Sequence, residues 1–342
     1  MASLASLKIN SYIFIGLLVL VFAMFMSAIV VILQMPFWFF IILTFFIVLF
    51  QIAISSTIVR WTTGTRILKP GENPYLEKVV GKLAREAGVP IPKLGMVNDP
   101  TPNAFVFGIT QGGSTLSVHR GLLEQLNDKE IEAVLGHEVG HIRNRDCMYM
   151  TFLSVIPLIA YMGMRMLFYA RFGRSKNAGA IILIGLVSLI VYFLSSLLIK
   201  RLSRIREYYA DAYSGYITKD PQSLASALTK ITYGLSLAPE EKKSQNAARS
   251  FYIGDVQNAH KEMDVIRKNA SKYDLDGDGV IDDRELELAM EEEAKRKSWD
   301  KFAGLFSTHP PTFKRILALK EMQREMQEGR ITDTNIYDKV EF

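Results

Sequence analysis

The chain has 342 residues, 49% hydrophobic and 22% charged, with a formal net charge of +5. That apolar content together with a positive mean hydropathy of +0.15 is high for a soluble protein, and the excess charge requires no nucleic-acid partner, because basic residues beside anionic membrane lipid account for it. The single Cys147 excludes a disulfide framework and a cysteine-rich zinc site, and a free thiol fits a reducing compartment.

Four apolar segments, at 12–34, 37–59, 148–169 and 178–199, are each close to the ~20 residues that span a bilayer. The first runs into the second with only Met35-Pro36 between them and no small-residue cleavage site, so it reads as a span and not as a removed signal peptide. Met1-Ala2-Ser3 carries no myristoylation signal. Two hairpins return the chain to its starting side, which places 60–147 and 200–342 in one compartment. Arg60, Arg66, Lys69, Arg143, Arg145, Lys200, Arg201, Arg204 and Arg206 assign that compartment to the cytoplasm, while Arg171, Arg174 and Lys176 at the second hairpin tip run against the rule.

Between the hairpins, Val79, Val80, Leu83 and Ala87 give residues 76–88 the stripe of a short amphipathic helix, ended by Pro90 and Pro92. Lys93 to Asn98, Asn103 to Thr110 and Ser114 to His119 then read as three short strands, and an edge of this small sheet suits an extended peptide. The next helix is the most informative element. Asn127 or Asp128 caps it, Glu130 and Glu132 suit its first turn, and Ile131, Val134, Leu135 and Val139 form its apolar stripe.

That helix carries His137-Glu138-Val139-Gly140-His141, an HExxH motif. Histidines four residues apart share a helix face and can hold one metal ion, with Glu138 placed as general base toward the water that the metal activates. A catalytic zinc takes three protein ligands and keeps a fourth position open. The third is expected downstream, in Glu207-Tyr208-Tyr209-Ala210-Asp211. Here Glu207 would ligate the metal, and Asp211, one turn on, would hold the outer nitrogen of a ligand histidine, His137 in the first instance. The paired hairpins put both motifs on one side of the membrane, as a shared site requires.

Residues 274–285 fit a calcium-binding EF-hand loop. Asp274, Asp276 and Asp278 occupy positions 1, 3 and 5, Gly279 the sharp turn at 6, the Val280 carbonyl position 7, Asp282 position 9 and Glu285 the bidentate position 12. Met263, Ile266, Ala270 and Tyr273 form an incoming stripe, and Leu286, Ala289 and Met290 an outgoing one. A lone hand binds weakly, pairs across a dimer, or only stabilises its own segment; an oligomer is thus left open.

The chain resembles the membrane-bound zinc peptidases of the HtpX heat-shock type, in the wider family that includes the CAAX prenyl proteases of the Ste24 type. The resemblance rests on Pro102-Asn103-Ala104-Phe105, Gly121-Leu122-Leu123, Ala133 to His141, Arg145-Asp146, Glu207 to Asp211, and Ser307-Thr308-His309-Pro310-Pro311 with Arg315. It covers nearly everything outside 257–300. It implies His137, His141 and Glu207 as zinc ligands, Glu138 as base, and Asn103-Ala104-Phe105 as a wall of the substrate groove. It brings His309 and Arg315 to the site, either to stabilise the oxyanion or to tie the Glu207 helix in place. His119, where the family usually has a small polar residue, reads as structural. Four spans match the HtpX type, and misfolded or unassembled membrane proteins are the substrates the resemblance implies.

The expected fold is mostly α with a small β-sheet: a zincin-like HExxH metalloprotease domain with four transmembrane helices in two hairpins. Its expected parts are a hairpin at 1–60, protease part at 61–146, second hairpin at 147–200, protease part at 201–256, EF-hand insert at 257–300 and C-terminal protease part at 301–342. The expected cofactors are zinc and calcium, and the expected place is the cell membrane with a cytoplasmic catalytic domain. Two rival readings stand beside this one. A processing peptidase would cut one dedicated substrate, such as a prenylated or signal-like peptide. A calcium-responsive membrane scaffold would hold zinc in a closed structural site and cut nothing.

Overall fold

The computed structural model describes residues 4–34, 36–170, 178–237, 253–254, 256–278, 281–295 and 307–330. The basic tip at Arg171, Arg174 and Lys176, and Gly279 and Val280 of the acidic loop, lie outside the described residues. Helices α1 (Leu4–Leu33) and α2 (Phe37–Thr63) form the first hairpin. Among the described residues four helices are long and apolar enough to cross a membrane, at Ile9–Leu33, Phe37–Thr63, Asp146–Arg165 and Gly179–Thr218. Trp38 and the strongly exposed Trp61 mark the two ends of α2 as an aromatic belt would.

After α2 the chain turns through Gly64 into β1 (Arg66–Ile67), then α3 (Pro74–Glu86), β2 (Lys93–Val97), β3 (Ala104–Phe107) and β4 (Thr115–His119). The sheet order is β1-β2-β4-β3. β2 runs parallel to β4, and β3 runs antiparallel to it with Ala104 opposite Val118 and Phe105 opposite Ser117. β3 is therefore an edge strand. His119 N–H donates to Asn103 O (2.9 Å), so the alternation of the ladder turns the N–H and C=O of Ala104 and Val106 away from β4, where Val106 O accepts from Cys147 Sγ (3.5 Å). His119 is buried, with Nδ1 3.1 Å from Thr101 O, which fits a structural role.

A short α4 (Arg120–Gln125) leads to α5 (Asp128–Arg143), the HExxH helix. Asn127 caps α5 by accepting from Lys129 N and Glu130 N, and Glu130 returns a bond to Asn127 N, a complete capping box. Glu130 also accepts from Ser226 and Lys230 on α8 (Pro221–Ser236), which anchors the start of α5 laterally. The third membrane helix, α6 (Asp146–Ala170), starts after a break at Asn144-Arg145, where Arg145 takes a left-handed backbone (φ 55°).

The fourth membrane helix does not end at the membrane. α7 (Ala178–Thr218) runs without interruption from the apolar segment into the ExxxD motif. It lies close against α5 because Gly136 and Gly140 carry no side chain. A Cβ at Gly140 would sit 3.1 Å from the Tyr213 ring and 3.4 Å from Ala210 Cα, and one at Gly136 would sit 3.3 Å from Ser214 Oγ. Ser214 Oγ also donates to Ala133 O (2.6 Å), a buried bond that fixes the register of the two motif helices.

The remaining helices among the described residues are α9 (Val256–Lys268), α10 (Ala270–Tyr273), α11 (Asp283–Lys295) and α12 (Thr312–Gln327). The apolar stripes on either side of the acidic loop are not a separate core. Met263, Ile266, Tyr273, Leu286 and Met290 join Val134 and Leu135 of α5 in one continuous buried cluster. Each fully buried side chain of this size contributes roughly 1.5–3 kcal/mol to folding.

Candidate metal centre and active-site cavity

The three expected ligands converge. His137 Nε2 and His141 Nε2 are 3.1 Å apart, Glu207 Oε2 is 3.7 Å from the first and Glu207 Oε1 3.5 Å from the second. Donors at metal–ligand distances near 2.0 Å on a tetrahedron stand roughly 3.3 Å from one another. The spacing of the three groups therefore fits one tetrahedral ion with a corner to spare. The outer nitrogens fit too, since each is held by a carboxylate. His137 Nδ1 is 3.0 Å from Asp211 Oδ1, and His141 Nδ1 is 2.7 Å from Asp146 Oδ2. A proton on Nδ1, shared with a carboxylate, leaves Nε2 as the ligand atom.

Burial, helped by neighbouring His141, holds the His137 pKa below its ordinary value against the pull of Asp211. Burial also opposes charge on His141, but there the carboxylates of Asp146 and Glu207 prevail and hold the pKa well above the usual range. Glu138, only 3% exposed, is pushed up to about 8 by burial and by the charge of Glu207, against the pull of His141, Arg315 and the Val106 amide. A carboxylate that titrates near neutrality is matched to taking and returning a proton.

Arg315, on α12, is 1% exposed. Its Nε and Nη2 donate to the two oxygens of Asp211 (2.8 and 2.7 Å), and its Nη1 donates to Ile253 O (2.6 Å) and lies 3.3 Å from Glu207 Oε2. Burial works against its charge, but Asp211 keeps the guanidinium more firmly protonated than usual. His309 sits with Nδ1 3.2 Å from Glu207 Oε2, and its buried Nε2 has no hydrogen-bond partner among the described residues. The two residues thus occupy different positions. Arg315 grips the ligand helix from behind, whereas His309 lines the cavity in front of it.

That cavity has a volume of about 410 Å³. Ala104 and Phe105 form part of its wall, with His137, Glu138, His141 and Glu207 at one end. Asn103 does not line it. Its side chain accepts from Ile253 N (2.9 Å), so it fixes the Ile253 segment that Arg315 holds from the other side. Asp274, Asp276 and Asp278 bring carboxylate oxygens within 4.8 Å of one another, and Glu285 accepts from Leu275 N (2.6 Å) and Asp282 N (3.2 Å) across the loop. Left-handed backbone falls at Gly277 (φ 76°) in the described part of this loop.

Two functional neighbours are not evident in the sequence. Asp146 follows His141 by five residues, too far for one helix face, and reaches it only because the chain breaks at Arg145. Arg206, which reads as a membrane-side charge, instead donates to Asp146 and to Asn144 O (3.3 Å). The only sequence signal for either was the Arg145-Asp146 pair.

Residues 70–323 match peptidase family M48. Protease HtpX homolog 2 of Methanosarcina mazei is 33% identical over 276 residues, covering 80% of each chain. The Protease HtpX homolog of Methanothermobacter thermautotrophicus is 40% identical over 199 residues, 58% of this chain and 74% of that one. The crystal structure of S. mikatae Ste24p aligns with a TM-score of 0.44 at 20% identity, covering 66% of this chain and 59% of that one.

Proposed function

The chain belongs to peptidase family M48 and is a multi-pass, membrane-bound metalloprotease; from that premise we propose that it is a zinc endopeptidase acting in membrane-protein quality control. The observation that carries the metal assignment is the His137, His141 and Glu207 cluster with a carboxylate on each outer imidazole nitrogen. A two-histidine, one-glutamate set with an open position is the donor chemistry of catalytic zinc. Bound zinc supplies a Lewis acid that polarises the scissile carbonyl and acidifies a water.

The chain's own residues do the rest. Substrate lies extended along the outer side of β3, pairing with the backbone of Ala104. Glu138 takes the proton of the attacking water and delivers it to the leaving amine nitrogen as the C–N bond breaks. His309 donates from its unpartnered Nε2 toward the oxyanion that forms on the former carbonyl oxygen. Arg315 holds Glu207 and Asp211 in register and touches no substrate. The catalytic side faces the cytoplasm, where Arg60, Lys200 and Arg201 meet anionic lipid.

The 274–285 loop binds calcium in this reading, through Asp274, Asp276, Asp278, the Val280 carbonyl, Asp282 and Glu285. A route from the loop to the site supports modulation. α9 leaves the Ile253 segment, its Asn258 donates to Ser307 Oγ (3.0 Å), and its Glu262 accepts from Thr312 N (2.9 Å). Ser307 in turn bonds the backbone of His309.

A casein digest with the purified protein tests the enzymatic reading. Chelation should stop cleavage, and stoichiometric zinc should restore it. A protein that keeps one tightly bound zinc and cuts nothing is the closed structural site of a scaffold.

A further inference from the structure

The catalytic cavity does not stop at the protease part. Its wall continues onto Ser55, Ser56 and Val59 of α2, Thr151 and Ser154 of α6, and Ser203 of α7. If Trp61 sits at headgroup level, Ser55, six residues earlier on α2, lies roughly 9 Å below it at 1.5 Å per residue. Ser154, eight residues into α6, is set about as deep, roughly 12 Å from Asp146. Hydroxyls at that depth serve no purpose against lipid. Among them Ser55 Oγ donates to Ile52 O (3.2 Å) and Ser154 Oγ to Thr151 O (2.8 Å), so their donors are satisfied within their own helices and their oxygens remain able to accept.

Below them Gln51 joins α2 to α6. Its Nε2 donates to Thr151 O (3.0 Å) and Ser154 Oγ (2.7 Å). Its Oε1 is buried and accepts nothing from the described residues. α2 itself contributes little else to the fold. Its membrane window is almost wholly exposed, with Phe45, Phe46 and Phe50 facing outward.

We propose that the α2–α6 seam is the entry site for an apolar, unwound membrane segment of the substrate, with Ser55 and Ser154 binding its peptide groups before it reaches Glu138. The proposal rests on the peptidase reading and adds where the substrate enters and of what kind it is. An unwound segment exposes backbone N–H groups that lipid cannot satisfy. The seam offers acceptors for them, the Ser55 and Ser154 hydroxyl oxygens that line the cavity. A soluble chain already hydrated along its length gains nothing from this surface, so the seam favours membrane segments over soluble ones.

Site-specific photo-crosslinking tests this on the full-length protein in bilayer nanodiscs. A benzophenone amino acid is placed at position 55, 154 or 50 in a Glu138→Gln background, and the probe is a single-span substrate labelled within its apolar segment. Capture of the labelled segment is expected at 55 and 154, and at least tenfold less at 50, on the lipid-facing side. Equal capture at all three positions, or none at 55 and 154, overturns the proposal. Cleavage of the same substrate by the unsubstituted protein is read in parallel. Cleavage without capture removes the entry site and leaves the peptidase, whereas capture without cleavage removes the peptidase. A Ser55→Ala variant gives a second measurement, because it deletes a cavity-lining acceptor with little change of side-chain volume. It should raise KM for the single-span substrate several-fold at unchanged kcat, and an unchanged KM contradicts the proposal.

Discussion

Replacing Arg315 separates the two roles that its sequence position allows. Its guanidinium is 1% exposed, makes two bonds to Asp211 and stands 3.3 Å from Glu207, so Arg315→Ala would leave the buried Asp211 carboxylate without its cation and take one from beside Glu207. Breaking a buried pair in this way costs about 3–5 kcal/mol, a large part of a total stability of roughly 5–15 kcal/mol. Part of that cost can be relieved by protonating one carboxylate, and either carboxylate so altered weakens the metal site: Glu207 as ligand, Asp211 as the support of His137. Arg315→Ala should therefore lower metal content and stability together with activity. Asp211→Asn combined with Arg315→Met removes both charges and should recover at least half of the lost stability. Metal content by plasma mass spectrometry and unfolding in detergent, on Arg315→Ala, Arg315→Met, Asp211→Asn and the Asp211→Asn, Arg315→Met double, measure the coupling. An Arg315→Ala protein with full metal content and unchanged stability, but a kcat lowered a hundredfold, would refute the clamp and put Arg315 on the oxyanion.

Three other outcomes follow from the geometry. Glu207→Ala should lose zinc, while Asp146→Asn, which keeps the ligands and weakens only the support of His141, should cost about 10- to 100-fold in metal affinity or activity, measured by competition with a chromogenic chelator. Single cysteines at the exposed positions 70 and 328, in a Cys147→Ala background, should both resist impermeant maleimide applied to intact cells; labelling of both inverts the orientation, and labelling of one breaks the shared compartment. Isothermal titration of the full protein should detect one calcium ion, with a dissociation constant of roughly 10⁻⁷–10⁻⁵ M for a cytosolic sensor, lost in Glu285→Gln; unchanged proteolysis in that variant, with and without calcium, would confine the loop to a stabilising role.

The parts legible in the sequence were those governed by local periodicity. The capping box at Asn127 and Glu130, the i, i+4 spacing of His137 and His141, and the matching spacing of Glu207 and Asp211 are one-helix properties, and from them the convergence of His137, His141 and Glu207 and the Asp211–His137 contact were legible. The three strands and four apolar helices were legible for the same reason. The rest depends on how separate elements meet. Nothing local indicates that Arg145 would adopt a left-handed backbone and swing Asp146 back onto His141. Arg206 and Arg204 read as charges at the membrane surface, yet Arg206 pairs with Asp146 and buried Arg204 donates to Ser307 O (2.5 Å) in the His309 loop. Asn103 reads as a groove residue, but its amide holds Ile253. The stripes around the acidic loop announced amphipathic helices without revealing that they enter the same core as the HExxH helix.

The most direct measurement is made on Glu138→Gln, with zinc content and cleavage of a single-span membrane substrate recorded on the same preparation. The amide that replaces the carboxylate is nearly isosteric and leaves His137, His141 and Glu207 intact, but it cannot take the water's proton. The protein should keep one zinc per chain and lose about 10²–10⁴ of its turnover, the usual contribution of a positioned general base. Turnover within a few-fold of the unsubstituted enzyme, at full zinc content, would contradict the assignment of Glu138 and with it the hydrolytic mechanism.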